Sequence, residues 1–475
     1  MITFSICFVL LVTAYFTYGK YLERVCGVNP ARRVPSDTEF DGVDYIPLPR
    51  WKTFLIQLLN IAGLGPIFGA VLGAMYGPVA FLWITLGGIF MGAMHDFVAG
   101  MISVENKGLS LPEIIGKYLG VSVKQVMRGF TCLLMVLVGA VFLLGPAGIL
   151  DGMTPGISKN AWVWIILVYY VLATLLPVDK IIGRIYPLFG AALIFMALGL
   201  FAVLLTGGYT VPELTSLHNF RADAADFPIV PTLFVTIACG AISGFHATQS
   251  PMMARCIRNE RDCRSVFFGA MISESIIALI WAAIAMAFFG GVEALNSQLI
   301  AHDNDASWAV KEIATVTLGT FGGILALVGV VAAPITSGDT AFRSARLIVA
   351  DFLKVEQRSL WKRLAICLPL FVIGFGITLV NFEVVWRYFA WVNQTLAAIT
   401  LWAVTVYLHD KGKPAVISWV PALFMTFICS SYLFIGREML HTDRLTGYAA
   451  GGAITLAVAI LFMLKLRRND KRSAA

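Results

Sequence analysis

Apolar residues in this chain come in long unbroken runs. They show neither the two-residue alternation of a half-buried strand nor the narrow stripe of a surface helix. Windows long enough to cross a bilayer fall at about 2–19, 53–74, 78–102, 126–149, 161–176, 184–206, 229–253, 265–289, 317–342, 364–380, 386–408, 415–435 and 447–466, with ends good to about 2–4 residues. A helix needs roughly 20 apolar residues to span hydrocarbon. The pattern therefore predicts an all-α polytopic membrane protein with about 13 transmembrane helices. The run at 161–176 is short, and the one at 317–342 is expected to continue along the interface. Met1 to Gly19 has no basic residue ahead of its apolar run and no cleavage pattern, so it reads as a retained helix.

The polar positions orient these runs. With the N-terminus outside, 29 of the 35 Lys and Arg fall in the loops and tail of one side, which makes that side cytoplasmic. The other side keeps Lys159, Arg221, Lys311, Arg387, Arg437 and Arg444, together with Asp223, Asp226, Asp303 and Asp305. The net charge of +7 is thus an orientation signal, not a nucleic-acid footprint. The segment 20–52 carries both charge signs with Pro30, Pro35, Pro47 and Pro49 and reads as a loop. No G-x-x-x-x-G-K-[ST] is present, which argues against an ATP-driven pump. The cysteines show no C-x-x-C spacing and none lies in an outside loop, so neither a disulfide nor a zinc site is expected.

Two spans are interrupted. The second reads Asn60-Ile61-Ala62-Gly63-Leu64-Gly65-Pro66-Ile67, and the seventh reads Cys239-Gly240-Ala241-Ile242-Ser243-Gly244-Phe245-His246-Ala247-Thr248-Gln249-Ser250-Pro251. Proline removes a backbone donor and suits the first turn of a new half-helix, which places such starts at Pro66 and Pro251. Freed backbone groups at membrane depth survive only inside protein or beside a cavity. Glycine and proline are frequent in membrane helices generally. Two breaks five spans apart and opposite in direction point instead to a transporter binding site. Gly63, Gly65, Ser243 and Gly244 are expected to line a midplane cavity, with His246, Thr248 and Gln249 in reach. A carboxylate would sit between Gly65-Pro66 and Ser250-Pro251, held by the two half-helix N-termini.

An ionisable side chain inside a span costs roughly 2.5–3.5 kcal/mol on insertion scales, so it usually meets a partner or a cavity. His95 and Asp96 in the third span are candidates for passing a proton, or Asp96 ties to a cytoplasmic Arg. In the ninth span, Thr336, Ser337 and Asp339 are oxygen donors suited to a hard cation. Asp339 is equally a proton carrier, or one half of an i, i+4 pair with Arg343. Glu274 is read as snorkelling, with no role. Trp51, Trp308, Trp386 and Tyr407 read as interfacial anchors. An intramembrane metal enzyme is disfavoured, since His95 and His246 lie in unrelated spans and no H-E-x-x-H appears. No cofactor and no metal are expected.

The runs Ile61-Ala62-Gly63-Leu64-Gly65-Pro66-Ile67, Gly92-Ala93-Met94-His95-Asp96-Phe97, Lys107-Gly108 with Ser110, and Cys239 to His246 closely resemble the carbon-starvation family of bacterial peptide and pyruvate transporters. The similarity runs from about Arg24 to beyond Asp351. The resemblance implies a five-plus-five inverted-repeat core like that of the amino acid–sodium symporters, with repeats at 53–206 and 229–408. A leading helix and loop at 1–52 precede it, and two helices with a basic tail at 415–475 follow. It implies secondary import of pyruvate, a related carboxylate or short peptides, coupling to protons, and a bacterial cytoplasmic membrane. In the symporter fold the ninth span sets hydroxyls beside carbonyls freed by the first broken helix, so a sodium-coupled amino acid symporter is the alternative. The chain departs from the family in lacking the long C-terminal extension of larger members. It has Ile56 and Gln57 where many members carry two histidines, and Glu105 where many carry Arg.

Single cysteines placed in 290–316 and after Lys465 should react with impermeant maleimide from opposite sides of the membrane, the first from outside. Labelling of 290–316 from the cytoplasm would overturn the orientation.

Overall fold

A computed structural model describes residues 1–42, 45–175, 179–355 and 359–473, and it contains no strand among them. Leu176 and Arg358, placed by the sequence in a span and in a basic loop, lie outside the described residues. The apolar runs become helices: α1 (Ile2–Cys26), α2 (Arg50–Ile61), α3 (Gly65–Ala74), α4 (Val79–Glu105), α5 (Val121–Met153), α6 (Lys159–Leu175) and α7 (Asp179–Thr206). After a long connection come α8 (229–236), α9 (Gly244–Ala254), α10 (Glu260–Phe288), α11 (Ala306–Leu353), α12 (Leu360–Ile377), α13 (Phe382–Asp410), α14 (Val416–Ile435) and α15 (Arg444–Ser473).

Ten of the described helices are long and apolar enough to cross a membrane, or eleven if α2 and α3 count as one span bent by 57°. The count of 13 is therefore not confirmed. α6 has 17 residues, and the seventh run divides into the short pieces α8 and α9, neither of which spans alone. The run at 317–342 belongs to the 48-residue α11, which is interrupted at Gly319 (φ 67°, ψ 179°).

The loops gather on two faces. On one, Glu213 accepts from the Met1 ammonium and from Thr3, and these contacts hold its carboxyl down at about 2. Arg221 pairs with Asp223 at 2.7 Å, Lys311 donates to the Gly152 carbonyl, and Arg387 pairs with Glu383 and Glu438 there as well. On the other face Arg32 holds Glu105 at 3.0 Å and Glu260 at 3.1 Å, and Lys411 holds Glu105 at 3.0 Å. Glu105 thus has two cationic partners in this chain.

α11 packs along α5, and both carry an internal proline, Pro334 and Pro146. Pro146 has no N–H for the carbonyl of Phe142, four residues back. The Tyr170 hydroxyl on α6 donates to that carbonyl at 3.0 Å and is fully buried. A side chain from a neighbouring helix thereby answers the acceptor that proline orphans.

Tyr170→Phe should lower the thermal midpoint in detergent, equivalent to about 1–3 kcal/mol for an unpaired buried acceptor. Adding Pro146→Ala, which restores the in-helix donor, should recover most of the loss. Equal midpoints for Tyr170→Phe and the parent would refute the role.

Candidate functional site

The two breaks meet face to face. α2 ends at Ile61 and α3 begins at Gly65, with Pro66 in its first turn as the sequence predicts. In the second break α8 stops at Thr236, and α9 begins at Gly244 after an extended Ser243 (φ −147°, ψ 128°). Pro251 lies inside α9. The half-helix start predicted at Pro251 is corrected to Gly244. The reason is that a proline in an established helix removes one donor without ending it, while the glycines and Ser243 have already released the chain.

Freed backbone groups at the second break find side chains. Trp83 Nε1 donates to the Ile237 carbonyl at 2.9 Å, and Gln394 Nε2 donates to the Phe234 carbonyl at 3.1 Å. Asn393 Oδ1 accepts from the Phe245 amide at 2.7 Å and from Ser243 Oγ at 3.1 Å. One N-terminal amide of α9 is therefore already capped, by a side chain from α13.

The glycines work as close-approach points. A Cβ on Gly65 would overlap Cys239 Cβ, one on Gly63 would come 2.7 Å from the Phe142 ring, and one on Gly244 would come 2.5 Å from the Asn393 carbonyl. Among the described residues these glycines are spent on bringing main chains together. Cavities away from the breaks include two. One of about 370 Å³ is almost wholly apolar and runs between α5, α6, α7 and α11, reaching Thr336. The other, about 450 Å³, has Lys159, His302, Asp303 and Asp305 in its wall.

α4 approaches the second break just as closely. Its stretch 83–93 is wound wider than an α-helix, a form that recurs at functional sites. Gly92 there abuts the Ala241 carbonyl, leaving no room for a Cβ. This approach delivers the next turn of α4 to α9. His95 Nδ1 lies 2.8 Å from Asp96 Oδ1, and His246 Nδ1 lies 2.8 Å from Asp96 Oδ2. The two neighbours do bond each other, and Asp96 meets a second histidine rather than an arginine. Glu274 on α10 completes the group, with Oε2 3.3 Å from His246 Nε2. All four side chains are fully buried. An ionised Asp96 takes an N–H from each Nδ1, so Nε2 of either ring is left to accept in the neutral form. Neither Nε2, nor either oxygen of Glu274, has a hydrogen-bond partner.

The other predicted residues divide. Gln249 donates to Thr248 Oγ1 at 3.0 Å while its Oε1 is unpartnered. Ser337 Oγ reaches the Leu59 carbonyl at 3.4 Å, next to the first break. Thr336 Oγ1 turns back to the Ala332 and Ala333 carbonyls, and Asp339 pairs with Arg343 at 3.3 Å. The sequence reading missed Glu274, Cys239 and Asn393. For Glu274 the signal was present, a carboxylate in the middle of an apolar run.

A model of the carbon starvation protein CstA family matches residues 1–156 and 150–322. An uncharacterized membrane protein of Haemophilus influenzae is 42% identical over 351 residues, 63% of this chain and 95% of that protein. A peptide transporter CstA of Campylobacter jejuni is 25% identical over 97% of this chain and 82% of its own. A pyruvate/proton symporter BtsT of Escherichia coli is 28% identical, and the match spans 57% of this chain and 46% of that one. The named relatives are transporters. Among solved structures, a manganese transporter variant from Eremococcus coleocola aligns with TM-score 0.53 at 14% identity over 89% of this chain and 97% of that one. That likeness concerns the fold alone.

Gly65→Ala should cost about 1–3 kcal/mol through overpacking and reduce monodisperse yield, and Gly65→Val more so. Cys239→Gly in the same chain should restore the yield of Gly65→Ala. If the single variants purify like the parent, the crossing is looser than described.

Proposed function

The chain belongs to the carbon starvation protein family, and on that premise we propose that it is a secondary transporter importing a short peptide or a small carboxylate such as pyruvate, coupled to protons. Relatives bearing the names peptide transporter and pyruvate/proton symporter support both halves of this reading. The observation that carries it is the sealed group His95, Asp96, His246 and Glu274 at a broken helix. Charged side chains are retained at such depth where a solute or ion passes.

In this reading 53–206 and 229–408 are inverted repeats, flanked by 1–52 and 415–475, and each repeat opens with a broken helix. The N-terminus lies outside a bacterial cytoplasmic membrane and the C-terminus inside. The substrate carboxylate meets the half-helix N-termini at Gly65 and Gly244, with Gly63, Ser243, His246 and Gln249 around it, when the close packing of the breaks opens. Ion coupling is assigned to His95 and Asp96 and, along α11, to Thr336, Ser337 and Asp339. The approach of Ser337 to the Leu59 carbonyl favours a second reading of the driver, a sodium ion held between hydroxyl and carbonyl oxygens.

Labelled pyruvate and a labelled dipeptide should accumulate in proteoliposomes under an imposed proton gradient and not under a sodium gradient alone. Asp339→Asn should abolish accumulation while counterflow exchange persists, since exchange needs no net ion movement. Accumulation driven by sodium alone would select the second reading, and failure of both substrates under both gradients would overturn the transport assignment.

A further inference from the structure

Three side chains converge at the second break, and two of them, His246 and Glu274, do so without finishing their own hydrogen bonding. Cys239 stands in the break, His246 in the first turn of α9 and Glu274 in α10, all buried. Their donor atoms lie within 4.8 Å of one another. His246 Nε2 and Glu274 Oε2 lie 3.3 Å apart without the alignment of a hydrogen bond, and Glu274 Oε1 has no hydrogen-bond partner. Burying such atoms unpaired costs more than burying them paired, and a carboxylate most of all.

We propose that Cys239, His246 and Glu274 form a binding site for one divalent cation of the zinc class. The donor set decides the class. One sulfur, one imidazole nitrogen and one carboxylate oxygen suit zinc and its borderline-soft neighbours, whereas magnesium and calcium take oxygen ligands. Tetrahedral zinc sets its donors roughly 3.3–3.6 Å apart, and His246 Nε2 to Glu274 Oε2 is already 3.3 Å. Thiolate and carboxylate together neutralise the two charges of the ion, so a site with no exposure holds no net charge at the metal.

The surroundings of the ligands point the same way. A metal-bound histidine almost always gives its other ring N–H to a carboxylate or carbonyl, which fixes the tautomer and aims the free nitrogen. His246 Nδ1 has that partner in Asp96 at 2.8 Å. Asn393 Nδ2 donates to Cys239 Sγ at 3.6 Å, and the Cys239 side chain is backed by Gly65 of the first break. His246 Nδ1 is thus held from behind, Cys239 Sγ also donates to Ser243 Oγ at 3.6 Å, and His246 Nε2 and the Glu274 oxygens are left facing inward. No local spacing announces the set, because its members are 7 and 28 positions apart in sequence, one in the break and two on separate helices. The inference goes beyond the transport reading and does not rest on it.

The test uses the purified full chain in detergent, stripped of metal and titrated with cobalt(II) and with zinc(II). One cobalt per chain should bind with the visible absorption of tetrahedral cobalt and the near-ultraviolet band of a cobalt–sulfur bond. Zinc should displace it, a large excess of magnesium should not, and zinc should raise the thermal midpoint. Cys239→Ser should remove the sulfur band, while Cys263→Ser, at another buried cysteine, keeps it. Asp96→Asn should weaken cobalt binding about 10–100-fold, as loss of a carboxylate behind a ligating histidine does, and Glu274→Gln by at least as much. Should a variant fail to fold, the parent's spectrum still decides. Cobalt bound without a sulfur band, displacement by magnesium, or no stoichiometric binding would overturn the site. Transport that fails in liposomes while cobalt binds as described would remove the transport reading and leave this one standing.

Discussion

A backbone broken inside an apolar slab leaves amides and carbonyls that water cannot reach, and every one of them has to be answered by protein. Much of this molecule is arranged around that requirement. The second break is held from two directions, by Trp83 on α4 and by Gln394 and Asn393 on α13. Tyr170 does the same for the carbonyl that Pro146 abandons in α5. Each of these side chains fixes the depth and rotation of the helix that carries it. The position of α4 that places Trp83 on Ile237 also places Asp96 on His246.

The tightness of the centre follows from the same need. Side-chain donors reach only a few ångströms, so the main chains themselves must approach, and small residues stand where they do. Gly92 faces the Ala241 carbonyl and Gly65 faces Cys239, with no space for a methyl group at either. Close approach then confines titratable groups to a fully buried volume. His95, Asp96, His246 and Glu274 are brought together by helix geometry set for another reason, and their chemistry is a consequence of it.

The spans, the two breaks and the presence of His95, Asp96 and His246 near them could be read from sequence, because hydropathy and the glycine–proline punctuation are local signals. The start of α9 was misplaced at Pro251 because proline marks a helix start only when no donor is needed there, and Ser243 had already turned the chain. Asn393 was invisible for a different reason. Its partners Ser243 and Phe245 are 150 and 148 positions away, and a lone amide in an apolar run says nothing of what it meets. Glu274 was legible by its cost alone, and reading it as a snorkelling side chain underestimated how deep α10 carries it. The short α6 and the divided α8 and α9 show where counting apolar windows stops being equivalent to counting spans.

At Gly319 the backbone of α11 takes φ 67° and ψ 179°, while the space where a side chain would begin is open. The constraint there concerns handedness and not size. A mirror-image residue would fit this conformation with little strain, whereas any L-residue meets its own carbonyl neighbours whatever its bulk. The two arms of α11 are therefore joined by an achiral link. The arm from Ala306 to that link can keep its angle to the arm carrying Ser337 and Asp339 only as long as the chain has no L-stereocentre at this position.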